Sequence, residues 1–365
     1  MIKIFSLFLF CLFSLPFIAA KEPSCRHVLF IMDKLQLGGS EQAFLSLING
    51  WAIPHTKVDI YLTARDGVLE PFLRKDFPLI SSKNAFKRTY DVAVAYVEWL
   101  NPNSGLWKTH AKRKVQWIHT DLLAKPQDRP FKHKELCAGI DAFICVSEGA
   151  AASARKIQPQ LSGKIFSIHN VLDGDLVRRK AQETKDCFPQ DGILNVVSVG
   201  RLAPEKALDR AIRVHSRLDK EGFFFRWYIV GEGSERPKLE QQIRQLGLEG
   251  KFILLGSKLN PYPYMAQADM FALPSHFEGF SIVINEAKLL ARPILLTEVS
   301  GAGEQIESEK NGLIVANNED AIYHGLKRLL QDKALRKRFS EALQGFEYDN
   351  ESIYRQVEKV LFGSG

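Results

Sequence analysis

An alternation that begins twice constrains this chain more than any other feature. Short apolar runs rich in β-branched residues alternate with segments of helical spacing, first from HVLFIM (27–32) to KIFSIHN (164–170), then again from ILNVVSVG (193–200). Between them lie KVDIYLTA (57–64), YDVAVAYVEW (90–99), KVQWIHT (114–120) and DAFICVS (141–147); FRWYIVGEG (225–233) and KFILLGS (251–257) follow the restart. Such runs, bounded by polar sequence, predict strands buried on both faces of a parallel sheet. Helices are expected over residues 43–48, 204–220 and 236–246. Strand–helix repetition predicts an α/β fold with two doubly wound, Rossmann-like parallel-sheet domains in tandem. Their carboxyl edges would face each other across a cleft, the edge where open α/β sheets take ligands.

A length of 365 residues with 45% apolar composition fits two such cores. The expected divisions are an apolar leader at 1–22, a first domain at 23–175, a second at 176–345 and a C-terminal helix at 346–365, packing back on the first domain. The polar segment 171–193 is expected to be a linker or edge excursion.

The leader has Lys3, then no charge from Ile4 to Ala20. It is at the short limit for a membrane span and also has the form of a secretory signal. A stretch ahead of a later start is the third reading. Formal net charge is +7, and the excess lies early: 21 Lys/Arg against 16 Asp/Glu between Lys21 and Asp175. KTHAKRK (108–114) and KPQDRPFKHK (125–134) carry much of it. They suit an anionic surface or, equally, a solvated face. They lack the interleaved aromatics of a nucleic-acid stacking platform, so no nucleic-acid partner is expected. Five scattered cysteines, without a CxxC or Cys/His cluster, argue against a disulfide framework or structural zinc.

Two stretches carry chemistry. In VSVGRLAPEK (197–206) a strand ends before Gly200, and Pro204 suits a first helical position. Arg201 and Lys206 would stand near a helix N-terminus, and two cations beside a positive dipole end form a diphosphate site. In SHFEGFSIVINEA (275–287) Ser281 is expected to start a helix, with Glu278 in the loop before it and Glu286 in its second turn. Eight residues of helical rise separate the two acids by about 12 Å. A hydrolase carboxylate pair stands about 5 to 9.5 Å apart, so these suit two grips on an elongated ligand.

EGFSIVINEA, with Glu278 and Glu286, resembles the E-x7-E signature of retaining glycosyltransferases of family 4, which have the GT-B fold. GGSE (38–41), VSVGRLAPEK, VGEGSERPKLEQQIRQLGLEGKFILLGS and NGLIV (311–315) are similar to further elements of that family, in order. The resemblance spans roughly residues 27–345. It implies transfer of a sugar from a nucleotide-diphosphate donor to a glycan or lipid-linked acceptor. Arg201 and Lys206 would hold the diphosphate, Glu286 the ribose hydroxyls and Glu278 the transferred sugar. Gly38 and Gly39 would let backbone N–H groups approach the sugar phosphate, and His119 would face the cleft as a catalytic residue. Gly301 and Gly303, in TEVSGAGEQI (297–306), would supply backbone donors, although that stretch lacks the family's proline. DGD (173–175) has the metal-holding form of the other glycosyltransferase fold but lies between the domains, where a turn is expected. No cofactor or metal is expected, because two cations and a helix dipole would do a metal's work on the leaving group. Since nucleotide sugars are made in the cytosol, a cytoplasmic, membrane-associated location is expected. A GT-B sugar-nucleotide epimerase and a secreted carbohydrate-binding protein are the alternative readings.

Overall fold

The computed structural model describes residues 25–97, 106–124, 137 and 139–363. The apolar leader and the basic run 125–134 lie outside the described residues.

Two six-stranded sheets, each wholly parallel, form the frame. The first contains β1 (Arg26–Met32), β2 (Thr56–Leu62), β3 (Thr89–Ala95), β4 (His110–Ile118), β5 (Ala142–Cys145) and β6 (Ile165–Ser167), in the order β2-β1-β3-β4-β5-β6. The second contains β7 (Leu194–Val199), β8 (Phe225–Val230), β9 (Phe252–Gly256), β10 (Met270–Leu273), β11 (Ile294–Thr297) and β12 (Leu313–Val315), in the order β12-β11-β10-β7-β8-β9. β-Branched and aromatic residues fill the interior of both sheets. Val28 to Ile31 are fully buried, as are Trp117 in the first sheet and Trp227 in the second. Truncating either tryptophan to alanine would cost about 3–5 kcal/mol through lost transfer energy and the cavity left behind.

Each sheet reverses its strand order once. In the first, β1 and β3 are neighbours, with Val28 opposite Val92; in the second, β7 and β10 are, with Val196 opposite Met270. A crevice opens at the carboxyl end of such a reversal because the flanking crossovers diverge to opposite faces. The loops leaving β1, β7 and β10 therefore define where a ligand fits.

Three local expectations need correction. The segment 171–193 contains a helix, Gly174–Lys180, packed on the second-domain helices Tyr262–Gln267 and Ile282–Leu289. Asp173 caps it by accepting the Leu176 N–H at 2.9 Å, while the Asp175 side chain stands 92% exposed. DGD is thus a helix start, rather than a turn. The helix expected from Pro204 begins instead at Leu208. Pro204–Lys206 form one 3-10 turn, and Ala207 then turns left-handed at φ 52°. Most of the basic run 108–114 lies on β4, where Arg113 donates to the Val360 carbonyl at 2.9 Å and Lys112 pairs with Asp91.

The C-terminal helix Asn350–Phe362 rests on the first sheet domain. Glu358 pairs with Arg26 at 2.7 Å, and the Tyr354 hydroxyl donates to the Leu47 carbonyl at 3.0 Å.

Candidate active site

A cavity of about 580 Å³ lies between the facing carboxyl edges of the two sheets. Gly38, Gly39, His119, Arg201, Lys206, Glu278 and Glu286 all line it. Gly301 and Gly303 do not.

From the first domain, the loop after β1 delivers Gly38 as the N-cap of the helix Gly39–Asn49. Glu41, in the first turn, folds back so that its carboxylate lies where a Gly38 side chain would stand, and Ser40 donates to it at 2.7 Å. The acid complements the positive end of its own helix. His119 follows β4 directly. Its Nε2 lies 2.8 Å from the Tyr96 carbonyl, which can only accept, so Nε2 carries the hydrogen.

From the second domain, the loop after β7 delivers the cations. Lys206 folds over Gly200, and Arg201 stands largely exposed beside Glu205 at 3.1 Å. The left-handed Ala207 separates this turn from the following helix, so Arg201 and Lys206 project from a loop rather than from a helix end. β8 ends at Val230, and at the next residue, Gly231, any side chain would strike the Gly200 carbonyl. Only glycine lets the two strand ends approach so closely.

The loop after β10 delivers Glu278. Its Oε1 accepts from Lys206 Nζ and from Ser275 Oγ, each at 2.6 Å. Ser281 begins the next helix, as the sequence predicts, but makes no side-chain cap bond. One turn on, Glu286 is 4% exposed. Burial pushes its carboxyl up to about 7, opposed in part by the Tyr262 hydroxyl, which donates to Oε1 at 3.1 Å. Tyr262 and Ser275 had no signal in the sequence, since each matters only through a carboxylate brought to it by the fold.

The result is a crevice with two cations on the loop after β7, one acid on the loop after β10 and a second on the helix that follows it, and a helix N-terminus opposite. It can take a ligand that carries both phosphate and hydroxyl groups.

Residues 186–345 match the family of glycosyl transferases group 1. That match covers the second sheet domain and every acid and cation named for the donor side. N-acetylgalactosamine-N,N'-diacetylbacillosaminyl-diphospho-undecaprenol 4-alpha-N-acetylgalactosaminyltransferase of Campylobacter jejuni is 35% identical over 203 residues, 54% of this chain and 53% of that protein. Alpha-D-kanosaminyltransferase of Streptomyces kanamyceticus is 31% identical over 172 residues, 46% of this chain and 44% of that protein. The chain thus spans about half the length of the curated relatives it matches.

Solved structures extend the likeness to the whole fold. HepE of Anabaena, crystallised with UDP-glucose, superposes with a TM-score of 0.76 at 19% identity, covering 92% of this chain and 99% of that one. WaaG, a glycosyltransferase involved in lipopolysaccharide biosynthesis, superposes with a TM-score of 0.69 at 16% identity, covering 92% and 100%. The two-domain arrangement is therefore that of the GT-B fold.

Proposed function

We propose that this protein is a retaining glycosyltransferase. It moves a sugar from a nucleotide-diphosphate donor to a hydroxyl of a glycan or lipid-linked acceptor. The convergence of Arg201, Lys206, Glu278 and Glu286 on one cavity wall, opposite Gly38, carries this reading. The group 1 match over 186–345 supports the reaction class, and the nucleotide sugar bound in HepE supports the donor class.

In the reaction, the bond between the anomeric carbon and the diphosphate oxygen breaks, and the acceptor oxygen bonds to that carbon. The acceptor proton passes to the departing phosphate. Arg201 and Lys206 stabilise the negative charge that grows on the leaving group, where preorganised cations in a half-dry site act more strongly than in water. Glu286, once ionised, accepts both ribose hydroxyls. Glu278 holds the transferred sugar, sharing Lys206 with the diphosphate. His119 faces the sugar from the first domain, and the excess positive charge of that domain attracts an anionic acceptor or membrane surface. The charge placed on the leaving group by side chains removes the need for a metal.

The test is a panel of nucleotide sugars incubated with candidate glycan and lipid-linked acceptors. Nucleoside diphosphate release matched by a glycoside of unchanged anomeric configuration, read by proton NMR, supports the proposal. Epimerised donor, or binding without turnover under every condition, contradicts it.

A further inference from the structure

A second cluster, centred on Ser147 and Glu304, joins the two domains beside the cavity, and neither of those two residues lines it. The helix Glu148–Ile157 of the first domain begins at Ser147, which is fully buried. Its hydroxyl accepts the Ala150 N–H at 3.0 Å and donates to the Gly279 carbonyl of the second domain at 2.7 Å. Gly279 directly follows Glu278, and its Cα faces the His119 carbonyl so closely that a side chain there would collide with it. One hydroxyl thus links the Glu278 loop to the first domain at the point where that loop touches His119.

Glu304 supplies the other half. It projects from the short helix Ala302–Gln305 between β11 and β12 and accepts the backbone N–H groups of Glu148 and Gly149 at 3.0 and 3.1 Å. His169 Nε2 meets the same carboxylate at 3.0 Å, and its ring stacks on Phe280 with centroids 4.4 Å apart. Burial would raise the Glu304 carboxyl, but His169 and the two amides hold it below its ordinary value. The fit is tight. A side chain at Gly149 would strike the Ser300 hydroxyl, and Gly301, at φ 74°, passes under the Gly279 carbonyl.

We propose that Ser147 and Glu304 form an interdomain clasp whose task is to set the register between Glu278 and His119. They are positioning residues, because neither reaches the cavity. The clasp seats a carboxylate of one domain on the N-terminal amides of a ten-residue helix of the other. Such charge-assisted bonds are roughly twice as strong as neutral ones and fall away if the halves part. A catalytic geometry displaced by about 1 Å loses on the order of a hundredfold in rate. The role in turnover rests on the glycosyltransferase reading; the mechanical role does not.

The experiment compares the full chain with Ser147→Ala, Glu304→Ala and Glu304→Gln. UDP affinity, measured calorimetrically, is expected to stay within about twofold in all three, because Arg201, Lys206 and Glu286 belong to the second domain alone. Transfer kcat with the preferred donor is expected to fall at least tenfold in Ser147→Ala and Glu304→Ala. Donor KM is expected to hold and the ratio of donor hydrolysis to transfer to rise. Glu304→Gln, which keeps one acceptor oxygen, is expected to be intermediate. Spin labels on the two domains are expected to show a longer and broader distance distribution in the alanine variants, with or without nucleotide. Unchanged distances and unchanged kcat overturn the clasp, as does a loss of UDP affinity parallel to the loss of kcat, which marks general damage. Should the wild type bind no nucleotide, the glycosyltransferase reading fails while the distance measurement still decides the clasp.

Discussion

Lys206 Nζ and Glu278 Oε1 meet at 2.6 Å across 72 residues of sequence, with both side chains largely buried. Within the cleft, the cation proposed to take a phosphate and the acid proposed to take a sugar hydroxyl neutralise each other. The pair keeps either charge from being left alone in a site of low polarity. Lys206→Ala is therefore expected to weaken UDP binding tenfold or more, about 1.4 kcal/mol, and to lower thermal stability by stranding Glu278. Lys206→Met combined with Glu278→Gln is expected to recover the stability but not the binding. Calorimetry and thermal denaturation on the three proteins check both halves of the prediction.

Glu286 carries a cost of its own. Its folded-state pKa of about 7 lies above the ordinary 4.5. The folded protein thus binds the proton more tightly than the unfolded chain, and the stability this contributes is full below pH 4.5 and lost as pH rises through 7. Ionised Glu286 therefore costs about 3 kcal/mol at pH 8. Glu286→Gln is expected to melt higher than the wild type at pH 8, with the difference shrinking towards pH 5, while UDP affinity falls at least tenfold. A melting difference independent of pH would show that burial is not what shifts this carboxyl.

The parts of the site that the sequence revealed are those set by local pattern. β-Branched runs such as HVLFIM marked strands, and Ser281 before an apolar stretch marked the helix that carries Glu286. What stayed hidden depends on distant partners. Tyr262 reaches Glu286 only once two helices pack. The Lys206–Glu278 pair closes over 72 residues and the Glu304–Glu148 bond over 156. The helix Gly174–Lys180 is not legible, because Leu176 and Val177 alone give it almost no apolar stripe. The break at Ala207 is not legible either, because alanine carries no left-handed signal. The family motif points Gly301 and Gly303 at the donor, yet neither lines the cavity, and Gly301 packs against Ser147 and Gly279 at the domain junction.

His215 sits in the core of the second domain, without exposure, its ring stacked on Phe225 at 4.0 Å. Burial pushes its pKa down to about 4. Here the unfolded chain binds the proton more tightly, so stability is full above pH 6.5 and falls as pH drops towards 4, by about 3 kcal/mol in all. Urea denaturation at several pH values is expected to show this loss, and His215→Phe is expected to remove most of it. An unchanged acid limb in the variant would assign the loss to other groups.

In the proposed reaction Arg201 and Lys206 take the part a metal would otherwise play on the diphosphate. Transfer activity is expected to survive EDTA within about twofold and to gain nothing from added magnesium or manganese. A fall of tenfold or more, restored by metal, would contradict the role given to the two cations.

The central claim is that the second domain's side of the cleft grips a nucleotide diphosphate, and a crystal structure of the full chain with bound UDP tests it most directly. The account predicts phosphate oxygens within ~3 Å of Arg201 and Lys206 and ribose hydroxyls on the Glu286 carboxylate, with Glu278 facing the space beyond the outer phosphate. UDP bound elsewhere, or bound in this cleft with those four side chains turned away from it, would contradict it.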